Sequence, residues 1–336
     1  MMAKKEIGCA INPACGHMEF DEMTPAANPL KVGIVGGGPA GMEAARIAAS
    51  RGHHVTLFEK TGELGGAILG CCMAPGKEKM KWYADWIRGQ IRRLEVDVRL
   101  HTAPTADDLR GFDIVLNATG ASSYVPDCIG AERVVPFEEA IACPKVTCPY
   151  HPKDRQMRRT GQRVLVWGDH YAAADTAAAL AGMGKEVTIV TENKEFAASV
   201  EVIHMYVLRK RFAQTDAEAL HSEPFKFPVR IIENSTVYSV EKGRVVLMDK
   251  SFQRTELAID DVITCHTRSN TAFFEEVRRA GIPVVNAGDS KQPRNLHAAV
   301  MEGATFGLKL EERSLMNANH SLIDSLPIDV QAQLLD

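Results

Sequence analysis

A glycine-rich turn between two apolar strands, in residues 31–60, constrains the fold of this chain more than any other stretch. Val32–Val35 is an apolar run with β-branched residues, which predicts a strand buried on both faces. Gly36, Gly38 and Gly41 follow at the G-x-G-x-x-G spacing. The first glycine permits a sharp turn, the second lets backbone approach a pyrophosphate, and the third lets a helix pack close to the strand. The stretch therefore predicts a strand–turn–helix unit that binds a dinucleotide.

The residues that follow the glycines complete this unit. Pro39 occupies the first helical position, where its missing N–H costs nothing, and the next amides can face an anion. Val55–Phe58 is the second predicted strand. Glu59 ends that strand roughly 20 residues after the glycines, where a carboxylate can accept hydrogen bonds from a ribose. This context favours a dinucleotide site over an ordinary glycine-rich turn.

Length and composition bound the class of protein. A chain of 336 residues with 45% hydrophobic and 24% charged residues is globular and has room for two domains. A formal net charge of -4 gives no reason to expect nucleic acid or an acidic membrane surface as a partner. The sequence has no long apolar run that could span a membrane, and its first residues lack an apolar signal core. Because the eight cysteines are irregularly spaced, we expect a cytoplasmic protein with mainly reduced thiols.

The opening pattern occurs a second time. Residues 163–192 align without a gap on residues 31–60, which predicts two dinucleotide-binding units in one chain. His170 replaces the middle glycine, and its side chain should either crowd a pyrophosphate or donate a hydrogen bond to it. The alternative is that the second unit is purely structural and binds nothing. The other aligned pairs are Gly168 with Gly36, Ala173 with Gly41 and Asp175 with Glu43.

Hydrophobic periodicity places the remaining elements. Three turns carry small or acidic residues suited to a cofactor, namely Gly65–Gly66, Ala118–Gly120 and Gly288–Asp289. The Asp289 carboxylate is well placed to accept from a ribityl hydroxyl, and the helix that follows it can face a phosphate. Helices are predicted over 79–94, 201–211, 273–280 and from 296, and strands over 96–100, 113–117, 229–232, 236–240, 244–248, 261–264 and 284–289.

Two groups of cysteines invite a metal interpretation that their spacing does not support. Cys143, Cys148 and His151 do not follow a recognised zinc spacing, and no fourth ligand is evident. Cys9 and Cys15 lie in an irregular segment rich in Pro, Gly and Asn, whereas an iron–sulfur cluster needs four thiolates. We therefore expect residues 1–30 to form an extended linker or docking segment, and the chain to hold no metal of its own.

The order of motifs resembles the two-dinucleotide-binding flavoprotein fold, in which FAD binds the outer domain and NAD(P)H the inserted one. More narrowly, CAINPACG, the LGG and APGKE motifs and GDHYAAADTAAALAGMGKEVTIVT resemble the C-terminal half of the 2,4-dienoyl-CoA reductase and trimethylamine dehydrogenase group, within the old yellow enzyme superfamily. In that group an FMN-binding TIM barrel precedes this half, and a four-cysteine cluster lies at the junction. This sequence lacks the barrel, and only Cys9 matches the cluster, at its last ligand position. The resemblance implies either a separate subunit that docks to a barrel subunit or a fragment of a longer enzyme.

The resemblance also implies an α/β fold of two nested Rossmann-like domains. Residues 31–160 and 266–316 would form the FAD-binding domain, residues 161–265 the NAD(P)-binding domain, and residues 317–336 a C-terminal tail. Cys9 would be a possible shared ligand of an iron–sulfur cluster. The residues implied to bind FAD, or ADP in its place, are Gly36, Gly38, Pro39, Ala40, Gly41, Glu59, Lys60, Gly65, Gly66, Ala118, Thr119, Gly120, Gly288 and Asp289. The residues implied to bind the nicotinamide coenzyme are Gly168, Asp169, His170, Ala173, Asp175 and Glu192.

The expected function is that of an FAD-dependent NAD(P)H oxidoreductase or electron-transfer subunit, which exchanges electrons with a barrel subunit that carries a flavin or an iron–sulfur centre. Hydride transfer between cofactors needs no side-chain acid or base, so no catalytic residue is predicted. NADH is favoured over NADPH, because Glu192, one place beyond the position that matches Glu59, would repel a 2′-phosphate. The alternative is that Glu192 simply points into solvent.

Two other functions stay open on the sequence. A pyridine-nucleotide disulfide reductase needs a redox cysteine pair, and Cys71–Cys72 follows the LGG motif, although adjacent cysteines form a strained ring. A non-catalytic module that binds ADP or FAD within a larger complex is favoured by His170 in the second unit. A yellow protein that NADH bleaches would support the reductase, and a colourless protein that retains ADP would support the module.

Overall fold

The computed structural model describes residues 8–71, 77, 79–140, 160–215 and 224–312. These residues divide into two compact units. Unit 1 takes its described residues from Met1–Leu69, Met80–Ser122 and Arg268–Asp336, and unit 2 takes its own from Gly70–Lys79 and Ser123–Thr267. Along the chain, unit 2 is therefore nested within unit 1.

The described residues form strands and α-helices that alternate along most of the chain. The strands are β1 (Lys31–Val35), β2 (His54–Phe58), β3 (Asp97–Arg99), β4 (Ile114–Asn117), β5 (Ala121–Ser123), β6 (Val134–Pro136), β7 (Arg163–Trp167), β8 (Glu186–Val190), β9 (Arg230–Ile232), β10 (Ser235–Glu241), β11 (Arg244–Asp249), β12 (Arg254–Leu257), β13 (Asp261–Thr264), β14 (Thr267–Ser269) and β15 (Val284–Asn286). The helices are α1 (Pro39–Ser50), α2 (Ile68–Cys71), α3 (Met80–Arg93), α4 (Phe137–Ala140), α5 (His170–Gly182), α6 (Val202–Ala213), α7 (Ala272–Arg279) and α8 (Leu296–Leu308).

Unit 1 is built on a sheet of five parallel strands in the order β15-β4-β1-β2-β3. Val32 and Ile34 in the central strand β1 are fully buried, as the apolar run predicts for a parallel sheet covered on both faces. Helices α1 and α8 approach each other so closely that a Cβ built on Gly303 of α8 would lie only 2.1 Å from Ala40 O of α1. This close contact fixes the start of α1 against α8.

Unit 2 has the same architecture, with the parallel order β6-β13-β7-β8-β9. Lys31 of β1 pairs with His54 of β2, and the aligned Arg163 of β7 pairs with the aligned Glu186 of β8, so both units share one strand register. Strands β10, β11 and β12 add an antiparallel sheet to unit 2. The predicted internal repeat and the α/β class with two nested Rossmann-like units are confirmed.

Residues 8–30 pack onto unit 1 and do not extend away from it, as an extended linker would. A 3-10 turn at Met18–Phe20 buries the Phe20 ring against Met301 of α8. Arg51 holds the segment down, since its Nε donates to Thr24 O at 3.1 Å. Phe20 is an isolated aromatic residue in a Pro- and Gly-rich stretch, so no periodic signal reveals that it is buried.

The long predicted elements are present, with bounds shifted by one or two residues. The strand predicted over 284–289 is shorter, because β15 ends at Asn286 and Gly288–Ser290 forms a 3-10 turn. Strands β5, β6, β12 and β14 and helices α2 and α4 were not predicted. Each has only three or four residues, which is too few for a periodic pattern to show.

Several predictions fall outside the described residues. They concern Cys143, Cys148 and His151, the second cysteine of the 71–72 pair, and the tail over residues 317–336. Within the described ranges, every helix is too short or too polar to cross a lipid bilayer.

Candidate dinucleotide-binding sites

The glycine turn of unit 1 leaves space for a ligand at one glycine only. A Cβ built on Gly36 would lie 2.2 Å from Ala118 O, and one built on Gly41 would lie 1.9 Å from Gly36 O, so packing of the protein itself requires both glycines. A Cβ on Gly38 would meet no described atom within 4 Å. Gly38 precedes α1 directly, and no described side chain caps that helix. The open space therefore lies at a helix start whose amides can bind an anion.

Glu59 lies beside this turn and is buried. Its Oε2 accepts from Gly37 N–H at 2.8 Å, and its Oε1 accepts from the N–H and the hydroxyl of Thr61, each at 2.8 Å. A carboxylate oxygen has two lone pairs, so Oε2 can also accept from a ribose hydroxyl. Lys60, the next residue in the predicted set, is exposed.

The LGG motif lies against the glycine turn. Gly65 N–H donates to Gly37 O at 2.7 Å, and a Cβ built on Gly66 would lie 2.9 Å from Gly38 Cα. Arg88 of α3 holds this loop, because its Nε donates at 2.9 Å to the carbonyl of the leucine that precedes Gly65. Sequence reasoning missed Arg88, since an arginine on a predicted amphipathic helix carries no signal of a loop contact.

The Ala118–Gly120 turn follows β4 at the same edge of the sheet. Asn117, the last residue of β4, is fully buried, and its Nδ2 donates to Asn286 Oδ1 at 2.7 Å. The Thr119 hydroxyl donates to Asn117 Oδ1 at 2.8 Å, which orients the turn. Asn117 was not predicted as a site residue, although a polar residue that ends an apolar strand is a usable signal.

The Gly288–Asp289 turn is positioned by a buried charge network. Glu302 of α8 is fully buried, accepts from Gly288 N–H at 2.6 Å and pairs with Arg294 at 2.5 Å. Burial raises the pKa of Asp289, while the N–H and the charge of Arg294 oppose that rise. Asn295 caps α8 by accepting from Ala298 N–H at 2.9 Å, so that helix start already has an acceptor. Asp289 is predicted from the sequence, whereas Glu302, a lone acid in an apolar helix, is not.

The corresponding turn of unit 2 is filled by side chains of the chain itself. His170 is exposed and has a φ of +61°, in the left-handed region that disfavours side chains. Asp169 caps α5, because its Oδ1 accepts from His170 N–H at 2.8 Å. Gly168 N–H donates to Val190 O at 3.0 Å, in the same way that Gly36 N–H donates to the end of β2. The two units therefore share a turn but differ at the helix start.

Asp175, the counterpart of Glu43, lies in a cluster that sequence reasoning did not predict. Lys77 Nζ lies 2.5 Å from Asp175 Oδ2 and 5.1 Å from the centre of the Tyr171 ring. Burial raises the pKa of Asp175, and the charge of Lys77 opposes that rise. Burial and then Lys77 lower the pKa of His204, whose ring lies beside Tyr171. Ala173, two residues earlier on α5, is fully buried.

Glu192 is exposed at the end of β8. Its Oε1 accepts from the Thr236 hydroxyl of β10 at 2.6 Å, which orients the carboxylate. Burial lowers the pKa of His266, whereas the charges of Glu192 and Asp169 raise it. The three residues therefore lie at one edge of the second sheet.

The cysteines of the described part show no built metal site. Cys9 O lies 3.1 Å from His297 Nδ1 at the start of α8, and Cys71 is half-buried at the end of α2. Cys265 is fully buried, and burial raises the pKa of its thiol to about 12, which keeps it protonated and unreactive. Among the described residues, no three His, Cys, Asp or Glu side chains are grouped as metal ligands.

Two nested Rossmann-like units, each with a glycine turn at the carboxyl edge of its sheet, define the class of FAD- and NAD(P)-binding oxidoreductases. The chain belongs to the pyridine nucleotide-disulphide oxidoreductase family, whose pattern matches residues 30–292.

Among curated proteins, the chain is 37% identical to a cinnamate reductase from Clostridium sporogenes over 186 residues, which cover 55% of this chain and 26% of the relative. It is 34% identical to an NADH oxidase from Thermoanaerobacter brockii over 217 residues, which cover 63% of this chain and 32% of the relative. Among solved structures, a 2-naphthoyl-CoA reductase complex superposes with a TM-score of 0.74 at 26% identity, covering 90% of this chain and 43% of that one.

This chain thus spans between a quarter and a half of the length of these relatives. The predicted resemblance to the FAD- and NAD(P)-binding half of old-yellow-enzyme-related reductases is confirmed. The disulfide-reductase alternative needs a cysteine pair, of which Cys71 is half-buried and its neighbour lies outside the described residues.

Proposed function

We propose that this chain binds FAD in unit 1 and acts as the flavin-containing electron-transfer module of an NAD(P)H-dependent reductase. The observation that carries the proposal is the open position at Gly38, between two glycines that packing fully explains. Packing gives no reason for a glycine at residue 38. A pyrophosphate that approaches the backbone gives that reason.

The residues around the turn fit the parts of FAD in order. The amides of Ala40 and Gly41 at the start of α1 would receive the pyrophosphate. Glu59 Oε2 would accept from the adenosine ribose. Asp289 would accept from the ribityl chain, and a hydroxyl donor there would stabilise a carboxylate that burial disfavours.

Bound FAD would supply the redox chemistry, because its ring system accepts a hydride and releases electrons singly or in pairs. The chain's own residues bind and orient the cofactor. Glu302 holds the turn that carries Asp289, and Arg88 holds the loop that carries Gly65 and Gly66. None of these roles requires a side chain to exchange a proton with the substrate.

The nicotinamide coenzyme would bind unit 2, and NADH is the preferred form. Glu192 is held by Thr236 at the end of β8, where a carboxylate accepts from a ribose 2′-hydroxyl and repels a 2′-phosphate. Glu192→Ala should narrow the preference, measured as kcat/KM for NADH and NADPH with an artificial dye. In the wild type, a kcat/KM for NADPH above that for NADH would contradict the proposed preference for NADH.

The electrons would leave to a barrel that carries FMN and an iron–sulfur centre. A separate barrel is proposed because the relatives are longer than this chain, which covers only 26% and 32% of two of them. The barrel would lie either on a separate subunit or on the same polypeptide.

Visible absorption of the purified chain tests the proposed function. A flavin spectrum that bleaches when NADH is added without oxygen is the expected result. A colourless protein that releases ADP on denaturation would contradict it.

That second outcome would support a non-catalytic module that binds ADP or FAD. One observation favours this alternative, namely that Asp169 and His170 fill the turn of unit 2.

A further inference from the structure

We infer that Asp169 controls the access of a nicotinamide dinucleotide to unit 2, because its carboxylate occupies the place of the pyrophosphate at the start of α5. The inference rests on the proposed function, in which unit 2 takes the nicotinamide coenzyme. A dinucleotide that binds a Rossmann unit needs free amides at the first turn of the helix. In unit 2 the first of these amides, His170 N–H, donates to Asp169 Oδ1 at 2.8 Å. The aligned residue in unit 1 is Gly37, which has no side chain to do this.

A neighbouring loop over residues 193–200 completes the closure. Ala197 N–H donates to Asp169 Oδ1 at 2.5 Å, and Asn193 Nδ2 donates to Asp169 Oδ2. His170 Nδ1 lies 2.7 Å from Ser199 Oγ of the same loop. Asp169 and its donors His170, Asn193 and Ala197 form what we call the acidic latch. The carboxylate thus acts as a built-in anion where a bound phosphate would otherwise lie.

The acidic latch differs from an ordinary helix cap. A capping aspartate accepts from amides of its own helix, whereas two of the three donors here come from residues 193 and 197. The φ angles of His170 and Ala197 are +61° and +55°, which side chains rarely adopt. The fully buried Phe196 anchors the loop, and its N–H donates to Glu233 Oε1 at 2.8 Å. The surrounding structure therefore holds His170 and Ala197 in strained conformations while the latch is closed.

The negative charge of Asp169 also lowers the affinity of unit 2 for a dinucleotide. The Asp169 carboxylate lies at the start of α5, where the pyrophosphate of a dinucleotide would bind. A pyrophosphate must either displace Asp169 from its donors or bind beside a like charge, and both lower the affinity. Opening of the latch is therefore a step that the nicotinamide coenzyme must drive.

The test is calorimetric titration of the full chain with NAD⁺, which does not reduce a flavin. Asp169→Gly introduces the residue that stands at Gly37 in unit 1, and it should lower the Kd for NAD⁺ at least tenfold. Asp249→Gly is the matched control, because Asp249 also accepts from two backbone amides of unit 2, Ser251 N–H and Gln253 N–H, but lies outside the turn. The control should leave the Kd unchanged.

Each variant is compared in a Gly38→Val background, so that unit 1 cannot contribute a nucleotide site. The proposed function is judged separately, by the flavin spectrum of protein with Gly38 intact. A flavin-free chain whose NAD⁺ site tightens in Asp169→Gly would overturn the proposed function and leave the latch standing. If protein with Gly38 intact carries flavin, but Asp169→Gly leaves the Kd for NAD⁺ unchanged or raises it in the Gly38→Val background, the latch is overturned and the proposed function stands.

If Asp169→Gly does not fold, a double substitution replaces it. Asn193→Ala with Ser199→Ala removes the two loop side chains that bond to Asp169 and His170, both at exposed positions. The Kd for NAD⁺ should then fall about threefold, since two of the ties that close the turn are lost. An unchanged Kd in this variant would overturn the latch.

Discussion

Lys77 Nζ lies 2.5 Å from Asp175 Oδ2, and both side chains are almost buried, with 12% and 11% exposed. The two residues are far apart in the sequence, and the pair places a charged group of the APGKE motif against helix α5 of unit 2. Removing one partner of a buried pair is costly, because the other charge is left without compensation.

Lys77→Met should therefore lower the free energy of unfolding by about 3 kcal/mol at about pH 8. Burial already raises the pKa of Asp175, and loss of Lys77 raises it further, so the carboxyl can become neutral in acid. The cost should accordingly be smaller at about pH 5, as measured by urea unfolding. Lys81→Met is the control, because the Lys81–Asp85 pair is 42% exposed on each side and should contribute under about 1 kcal/mol. An equal cost for both variants would contradict this account of the pair.

Glu43 of α1 predicts a second dependence on pH. Burial raises its pKa, while a hydrogen bond and charge from Arg46 oppose that rise, and Glu43 Oε2 has no partner among the described residues. A carboxyl with a raised pKa stabilises the fold below its unfolded pKa and loses that contribution as the pH rises through the folded value. The stability of Glu43→Gln relative to wild type should thus increase from about pH 5 to about pH 8.

Urea unfolding of both proteins across that range measures the change. Glu275→Gln is the matched control, since Glu275 also precedes its arginine partner by three residues but its side chain is 39% exposed. A relative stability of Glu43→Gln that stays flat or falls with pH would show that the Glu43 carboxylate is not disfavoured by burial.

The Glu302 network predicts a link between stability and flavin binding. Glu302→Ala removes the carboxylate that accepts from Gly288 N–H and pairs with the nearly buried Arg294, which should cost about 3 kcal/mol in unfolding free energy. It should also weaken FAD binding, because the turn with Asp289 loses its support. Glu312→Ala, at a half-exposed carboxylate after α8, should change neither quantity. Full flavin affinity in Glu302→Ala would show that the turn does not depend on this residue.

Sequence patterns could reveal the parts of the fold that repeat. The apolar runs Val32–Val35 and Val187–Val190 and the glycine spacing fix two Rossmann-like units, because period and spacing are local properties. The contact between Phe20 and Met301 could not be predicted in this way, since it depends on how distant elements pack. The same limit applies to the short strands β5 and β14.

The candidate site shows the same division. The first glycine turn and Glu59 follow from a motif, and the structure brings them together through Gly37. Lys77, Arg88 and Glu302 act from other elements, so no local spacing identifies them. The replacement of a glycine by His170 pointed to a difference between the units, but the carboxylate that fills the second turn belongs to its neighbour Asp169.

The open position at Gly38 is the basis of the central claim that unit 1 binds FAD. A Cβ at this position would meet no described atom within 4 Å, so Gly38→Val should keep the fold and its melting temperature within a few degrees. Gly111 is the matched control, because it is exposed and a Cβ there also meets no described atom within 4 Å.

The most direct measurement is a titration of the refolded, cofactor-free chain with FAD, followed by flavin fluorescence. The account predicts one FAD per wild-type chain, the same affinity in Gly111→Val, and an affinity at least tenfold lower in a folded Gly38→Val. Equal FAD affinity in Gly38→Val and Gly111→Val would contradict the claim that the glycine turn of unit 1 holds the flavin.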